Sequence, residues 1–436
     1  MNFVAVLVVV IAVIIDGTIT GFAASTGGLK SSIADITVFA AMISVFAGSQ
    51  FIIMSYVKQE YKDKTLRSKD VEGNFRLIGR ITSLIQYAIL IILLFTILQL
   101  VLFSSYHLSS VLVCILMSYG LSFVLLVLLT KHFLLWSMAS HNSVVFAYTL
   151  AIGFIALNAI SAIFYVWVEL SNTPSVVGSM TRPLGAYSST AGGYSTFFAL
   201  VSFLAFVLTW IATVLLLKHY SERLGRMKYW TVVTIPLVYF LTQFQTLFLT
   251  AFAEFRLSDP VLFGIVYNLI FSVSKPLGGI LFGIAFWTVA RYLKEEKVKG
   301  YLILSAYGMV LLFSANQPTN LILAPYPPFG MVTICFMGLA SYLLYSGIYS
   351  SAVSVSQDSS LRQSIRNLAF KESQKLLDLI GTAQMEQEVL NKVMKVSKQK
   401  IEMMESETGV GTSLNSDDVK RYLDEVLQEL KKQQIK

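Results

Sequence analysis

The chain has 436 residues, of which 55% are hydrophobic and only 13% charged, and its mean hydropathy is +0.68. A soluble domain carries about 25% charged residues, so this composition excludes a soluble globular protein and calls for a lipid solvent. The net charge is +8, yet the chain beyond residue 357 is balanced at 13 basic and 13 acidic residues. The excess therefore sits in the apolar part, where it suits loops facing anionic lipid and not a nucleic-acid site.

About 20 apolar residues cross a bilayer as a helix. In chain order the segments 3–23, 36–57, 81–103, 109–130, 143–169, 197–217, 229–251, 261–290, 301–323 and 329–350 qualify. The expected fold class is all-α. It comprises a polytopic transmembrane helix bundle of about ten helices over 1–350, a cytoplasmic helical or coiled-coil segment over 351–407, and a linker with an amphipathic C-terminal helix over 408–436. The first segment competes with a signal-peptide reading. No basic residue precedes its apolar run, which favours a retained helix. Asp16-Gly17 reads as an interruption of that helix.

The loops alternate in charge. Segment 58–80 carries Lys58, Lys62, Lys64, Arg67, Lys69, Arg76 and Arg80; segments 218–228 and 291–299 carry four basic residues each. The intervening loops are nearly free of Lys and Arg. The positive-inside rule then places the basic loops and the tail in the cytoplasm of a cell-membrane protein.

Two further spans are interrupted. In the eighth, Lys275 lies 15 residues past Pro260 and 16 before Arg291, and Pro276 follows it. A central Lys is costly, and Pro276 frees a carbonyl about four residues back. Lys275 reads either as an anion, proton or ligand site or as one half of an internal ion pair. Asp16 is the preferred partner, ahead of Glu169 and Glu254. In the ninth span Asn316, Gln317, Pro318 and Asn320 break the apolar run. With Asn268, Gln243 and Gln245 they either line a polar pocket or make ordinary interhelical hydrogen bonds.

The tail from Asp358 to Glu407 has apolar residues mostly three and four apart, a coiled-coil or helical-hairpin signal. As one helix of about 50 residues it would reach about 75 Å from the membrane. Val419, Leu423, Val426 and Leu430 form one apolar stripe for a partner. Cys114 and Cys335 lie in apolar runs, the four histidines are scattered, and no nucleotide-binding loop, HExxH, GxSxG or CxxC occurs. No enzyme, cofactor or metal site is expected.

The stretch Gly347–Gly381 (GIYSSAVSVSQDSSLRQSIRNLAFKESQKLLDLIG) resembles the junction between the last membrane helix and the signalling helix of archaeal multi-pass membrane sensors of the sensor-kinase kind. In that family the helix leads to a phospho-accepting His and an ATP-binding domain, and this sequence has neither. The resemblance implies a sensor without its own output enzyme. The leading expectation is thus a non-enzymatic membrane sensor or signalling scaffold, a homodimer or bound through its tail to a cytoplasmic protein. The alternatives are a secondary transporter or channel with a regulatory tail, and an accessory subunit of a membrane complex.

Overall fold

A backbone in hydrocarbon must satisfy its own N–H and C=O groups, so apolar segments of this length fold as helices. The structure is a computed structural model that describes residues 3–26, 32–63, 69–140, 142–171, 173–178, 192–218, 225–242, 252–291, 293, 295–323, 326–357, 380–389, 392–393 and 396. Its helices are α1 (Phe3–Thr26), α2 (Ser32–Asp63), α3 (Lys69–Phe103), α4 (Leu108–Ser140), α5 (Ser143–Ser171), α6 (Gly192–Leu217), α7 (Arg226–Thr242), α8 (Ala253–Ser258), α9 (Pro260–Ser272), α10 (Ser274–Arg291), α11 (Glu296–Ala315), α12 (Pro318–Leu323) and α13 (Gly330–Gln357).

Among the described residues, eight helical spans are long and apolar enough to cross a membrane. They lie in α2 to α6, across α9–α10, across α11–α12, and in α13. The chain is therefore an all-α, multi-pass membrane bundle. The first expected span forms α1, whose apolar stretch Val6–Thr20 is shorter. The seventh forms α7, with residues 243–251 outside the described residues.

Helix α13 is the axis of the bundle. All but three of its 28 residues are buried. Helix α4 runs parallel to it, with Ser118 donating to the Ile334 carbonyl (2.7 Å) and Ser122 meeting Ser341 (2.5 Å). Helix α11 runs antiparallel and very close: a Cβ on Gly347 would lie 2.5 Å from the Tyr301 carbonyl. Only a residue with no side chain permits that approach.

Two short strands, β1 (Ser105–His107) and β2 (Val176–Gly178), pair antiparallel and tie the α3–α4 and α5–α6 connections together at one end. The opposite end receives the tail. Exposed Lys58, Arg76, Arg80, Lys131, Arg291 and Lys299 all sit on helix ends that the packing directs to this tail end. The charge alternation in the sequence thus corresponds to two ends of one bundle.

Helix α3 is inside out relative to a helix in water. Leu77, Ile81, Leu84 and Ile91 are exposed, whereas Thr82, Gln86, Thr96 and Gln99 are buried. The outer solvent is hydrocarbon, so polar side chains turn inward.

Two expectations are corrected. Asp16-Gly17 does not interrupt α1, which runs unbroken from Phe3 to Thr26. Gly17 instead admits α9 and α12: its Cβ would lie 2.9 Å from the Ser272 Cβ and 3.3 Å from the Asn320 amide. Nor does the tail leave the membrane as a straight 75 Å rod. Residues 380–389 are helical and return to the bundle, where Ile380 and Ala383 are buried and the Trp136 indole donates to Gln384 (3.1 Å). Contact with α13 is equally direct, with Ser356 donating to Glu388 (3.3 Å). The physical reason is an apolar stripe that finds cover on the end of the bundle. Residues 358–379 and the stripe Val419, Leu423, Val426 and Leu430 lie outside the described residues.

Candidate functional site at two proline breaks

Two prolines decide the local geometry. Pro276, in the first turn of α10, has no N–H for the carbonyl four residues back, that of Ser272. Pro318, at the start of α12, likewise leaves the Ser314 carbonyl without its helical donor. The eighth span accordingly breaks between α9 and α10 at Val273, and the ninth between α11 and α12 at Asn316-Gln317.

One side chain answers both breaks. The Gln317 amide Nε2 donates to the Ser272 carbonyl and to the Ser314 carbonyl, each at 3.2 Å. Its Oε1 accepts from Asn320 at 3.1 Å. A primary amide has two N–H donors, which suits two freed carbonyls. The two broken helices are thereby stitched at the same depth.

Lys275 caps the result. Its Nζ donates to the Asn316 carbonyl at 2.9 Å and lies 5.7 Å from the centre of the Phe198 ring. Asn316 is the C-cap of α11. A helix C-terminus carries partial negative charge, so an ammonium there is favourable, and the aromatic face adds to it. Asn316 also donates to Asn158 (2.5 Å) and accepts from Tyr119 (3.3 Å), which anchors the break to α5 and α4. A cavity of about 10 Å³ beside Lys275 and Asn316, lined also by Ser202, Phe206 and Ile155, has room for about one water.

The preferred partner for Lys275 is corrected. Asp16 bonds Thr333 of α13, and among the described residues no ion pair joins it to Lys275. The ammonium is met by a helix end, and the carboxylate by a hydroxyl. Asp16 is fully buried and its second oxygen, Oδ1, has no partner among the described residues.

Of the expected polar set, Asn316, Gln317 and Asn320 are brought together, all less than 9% exposed. Gln317 and Asn320 bond each other, and Asn316 bonds Asn158, Tyr119 and Lys275. The Asn268 side chain, Gln243 and Gln245 lie outside the described side chains. Asn158 and Tyr119 complete the network, and they, like Thr333 at Asp16, were not singled out from the sequence. A lone Asn in the middle of the apolar segment 143–169 was the available signal for Asn158. Among the described residues no group of His, Cys, Asp or Glu is arranged to hold a metal ion.

These features define a multi-pass helical membrane protein with a polar crossing of discontinuous helices in its interior. No protein-family model matches the chain, no curated protein matches it, and no solved structure matches it.

Proposed function

We propose that the chain is a non-enzymatic membrane sensor or signalling scaffold. A change at the crossing is passed along α13 to the tail. The observation that carries this reading is the path of α13. One unbroken helix is bonded through Thr333 to Asp16 at one end and through Ser356 to Glu388 of the tail at the other. Along its α4 face the contacts continue from Ser118 and Ser122 to His132, whose ring lies 4.4 Å from that of Tyr349. A packed helix moves as a unit, so displacement at Asp16 is felt at the docked tail. The positive-inside rule puts the tail end in the cytoplasm of the cell membrane. With α1 and α7 as crossings, the bundle has ten spans. The remaining tail is a coiled-coil element that pairs with a second copy or with a cytoplasmic protein. The resemblance of 347–381 to sensor junctions points the same way.

The test is amide hydrogen exchange of residues 380–389 in the full chain in lipid nanodiscs. Thr333→Val or Asp16→Asn should change protection of this segment. Protection identical to wild type in both would overturn the relay. Cysteine crosslinking along 358–407 should yield dimers; a strictly monomeric tail would remove the second-copy partner.

A second reading, a secondary transporter or channel with a regulatory tail, is favoured by the broken helices themselves. Facing half-helix ends near mid-membrane are how inverted-repeat transporters bind ions. Flux into liposomes that disappears in Lys275→Ala would favour it over the relay.

A further inference from the structure

Between the crossing and the tail end, three polar side chains lie inside the bundle without a role in the network above. Neither the Nε2 nor the Oε1 of Gln86 has a partner among the described residues, and the residue is fully buried. The same holds for the Thr82 hydroxyl, one turn away on the same face of α3, and for the Gln50 Oε1 of α2. Helix packing sets all three at the level of one stretch of α13. A Cβ on Gly338 would lie 3.3 Å from Gln86 Nε2. The Phe46 ring meets Phe336 edge-on at 4.6 Å, which brings Gln50, one turn further along α2, level with residues near 340. Ser118, Ser122 and Ser341 supply further hydroxyls from the α4 side.

Buried polar atoms in proteins are almost always hydrogen-bonded, and an interior cluster of orphans is met by water. Along α13 this cluster lies on the tail side of Asp16. From Thr333, which holds Asp16, to Gly338, which touches Gln86, is five residues of helix, a rise of about 7.5 Å with a turn of about 140° around the axis. A chain of internal waters would have to cover that span. At its near end waits the unpartnered Asp16 Oδ1. Among the described residues no counter-ion meets Asp16. From α13 it is met by the Thr333 hydroxyl, and its neighbour Gly17 faces Ser272, Gln317 and Asn320 of α9, α12 and the α11–α12 break; none of these titrates. The Cys335 thiol of α13 faces it, with Cys114 of α4 behind, and the Lys275 ammonium is bonded to the Asn316 carbonyl.

We infer that Asp16 is a proton-binding site that exchanges its proton through internal water held by Gln86, Thr82 and Gln50. The step is simple in balance: a hydrated proton is passed to the carboxylate, which becomes a neutral acid, and water is left. The site deepens the relay reading, on which it rests for its consequence, by naming the input as a proton.

Infrared difference spectra of the full chain in nanodiscs, recorded across a pH step, test it. A carboxylic C=O band that shifts in D₂O and is missing in Asp16→Asn is expected. Gln86→Met and Thr82→Val, which keep volume, should slow its H/D exchange about tenfold each. Gln99→Met, outside the cluster, should leave the rate alone. No titrating band, or a band that responds to exchanging K⁺ for Na⁺ and not to pH, overturns the proton site. Unchanged exchange in Gln86→Met and Thr82→Val overturns the water route. If the band titrates but protection of 380–389 does not follow pH, the relay fails and the proton site stands. If Asp16→Asn alters that protection without a titrating band, the reverse holds.

Discussion

Helices α4 and α13 cross the bundle side by side and unbroken, whereas the α9–α10 and α11–α12 spans are each cut in two. The difference is one of backbone satisfaction. The continuous pair keeps its mid-helix carbonyls in unbroken ladders and uses Ser hydroxyls and glycines for close contact. The cut pair exposes carbonyls to the interior, and polar side chains collect there because hydrocarbon offers nothing else. Polar residues in the broken region are thus structural necessities first, and the capacity for function is built on them.

The largest effect should come from the stitch. Gln317→Leu orphans the Ser272 and Ser314 carbonyls and should cost about 2–5 kcal/mol, read from unfolding in mild detergent. Pro318→Ala restores one donor, so the double variant should recover at least about 1 kcal/mol of that loss. A purely additive cycle would show that Gln317 does not serve the proline break. On the continuous side, Gly347→Val drives a side chain into the Tyr301 backbone and should cost about 1–3 kcal/mol. Equal stability there would mean α11 and α13 are not held at this distance.

Charge at the break sharpens the contrast further. Lys275→Met should change stability by no more than about 1 kcal/mol, since desolvation is relieved as the helix cap is lost. Lys275→Glu sets a negative charge against the α11 C-terminus and should destabilise by about 2 kcal/mol. Indifference to the sign would remove the capping role. The smallest effect belongs to the tail contact. Gln384→Met leaves the buried Trp136 ring in place and loses its bond, about 1 kcal/mol, so exchange protection of 380–389 should fall about fivefold with bundle stability unchanged.

Much of this architecture is legible without coordinates. Span positions follow from hydropathy, and the two ends from loop charge. Both helix breaks follow from Pro276 and Pro318, and counting back four residues from Pro276 already marks the Ser272 carbonyl. The partner of that carbonyl is not legible, because Gln317 lies on a different span and no local pattern records which helices touch. For the same reason the pairing of Lys275 with Asp16 failed: opposite charge is a reason to meet, but a helix end and a Thr hydroxyl were nearer.

Composition and periodicity alone determined that this chain lives in lipid as helices and where two of them must break. Both are consequences of backbone hydrogen bonding in hydrocarbon, which acts residue by residue. Only the tertiary packing decided that the two breaks share one amide, that α3 turns its polar face inward toward α13, and that residues 380–389 fold back onto Trp136. These depend on contacts between segments tens to hundreds of residues apart, which short-range sequence patterns do not encode.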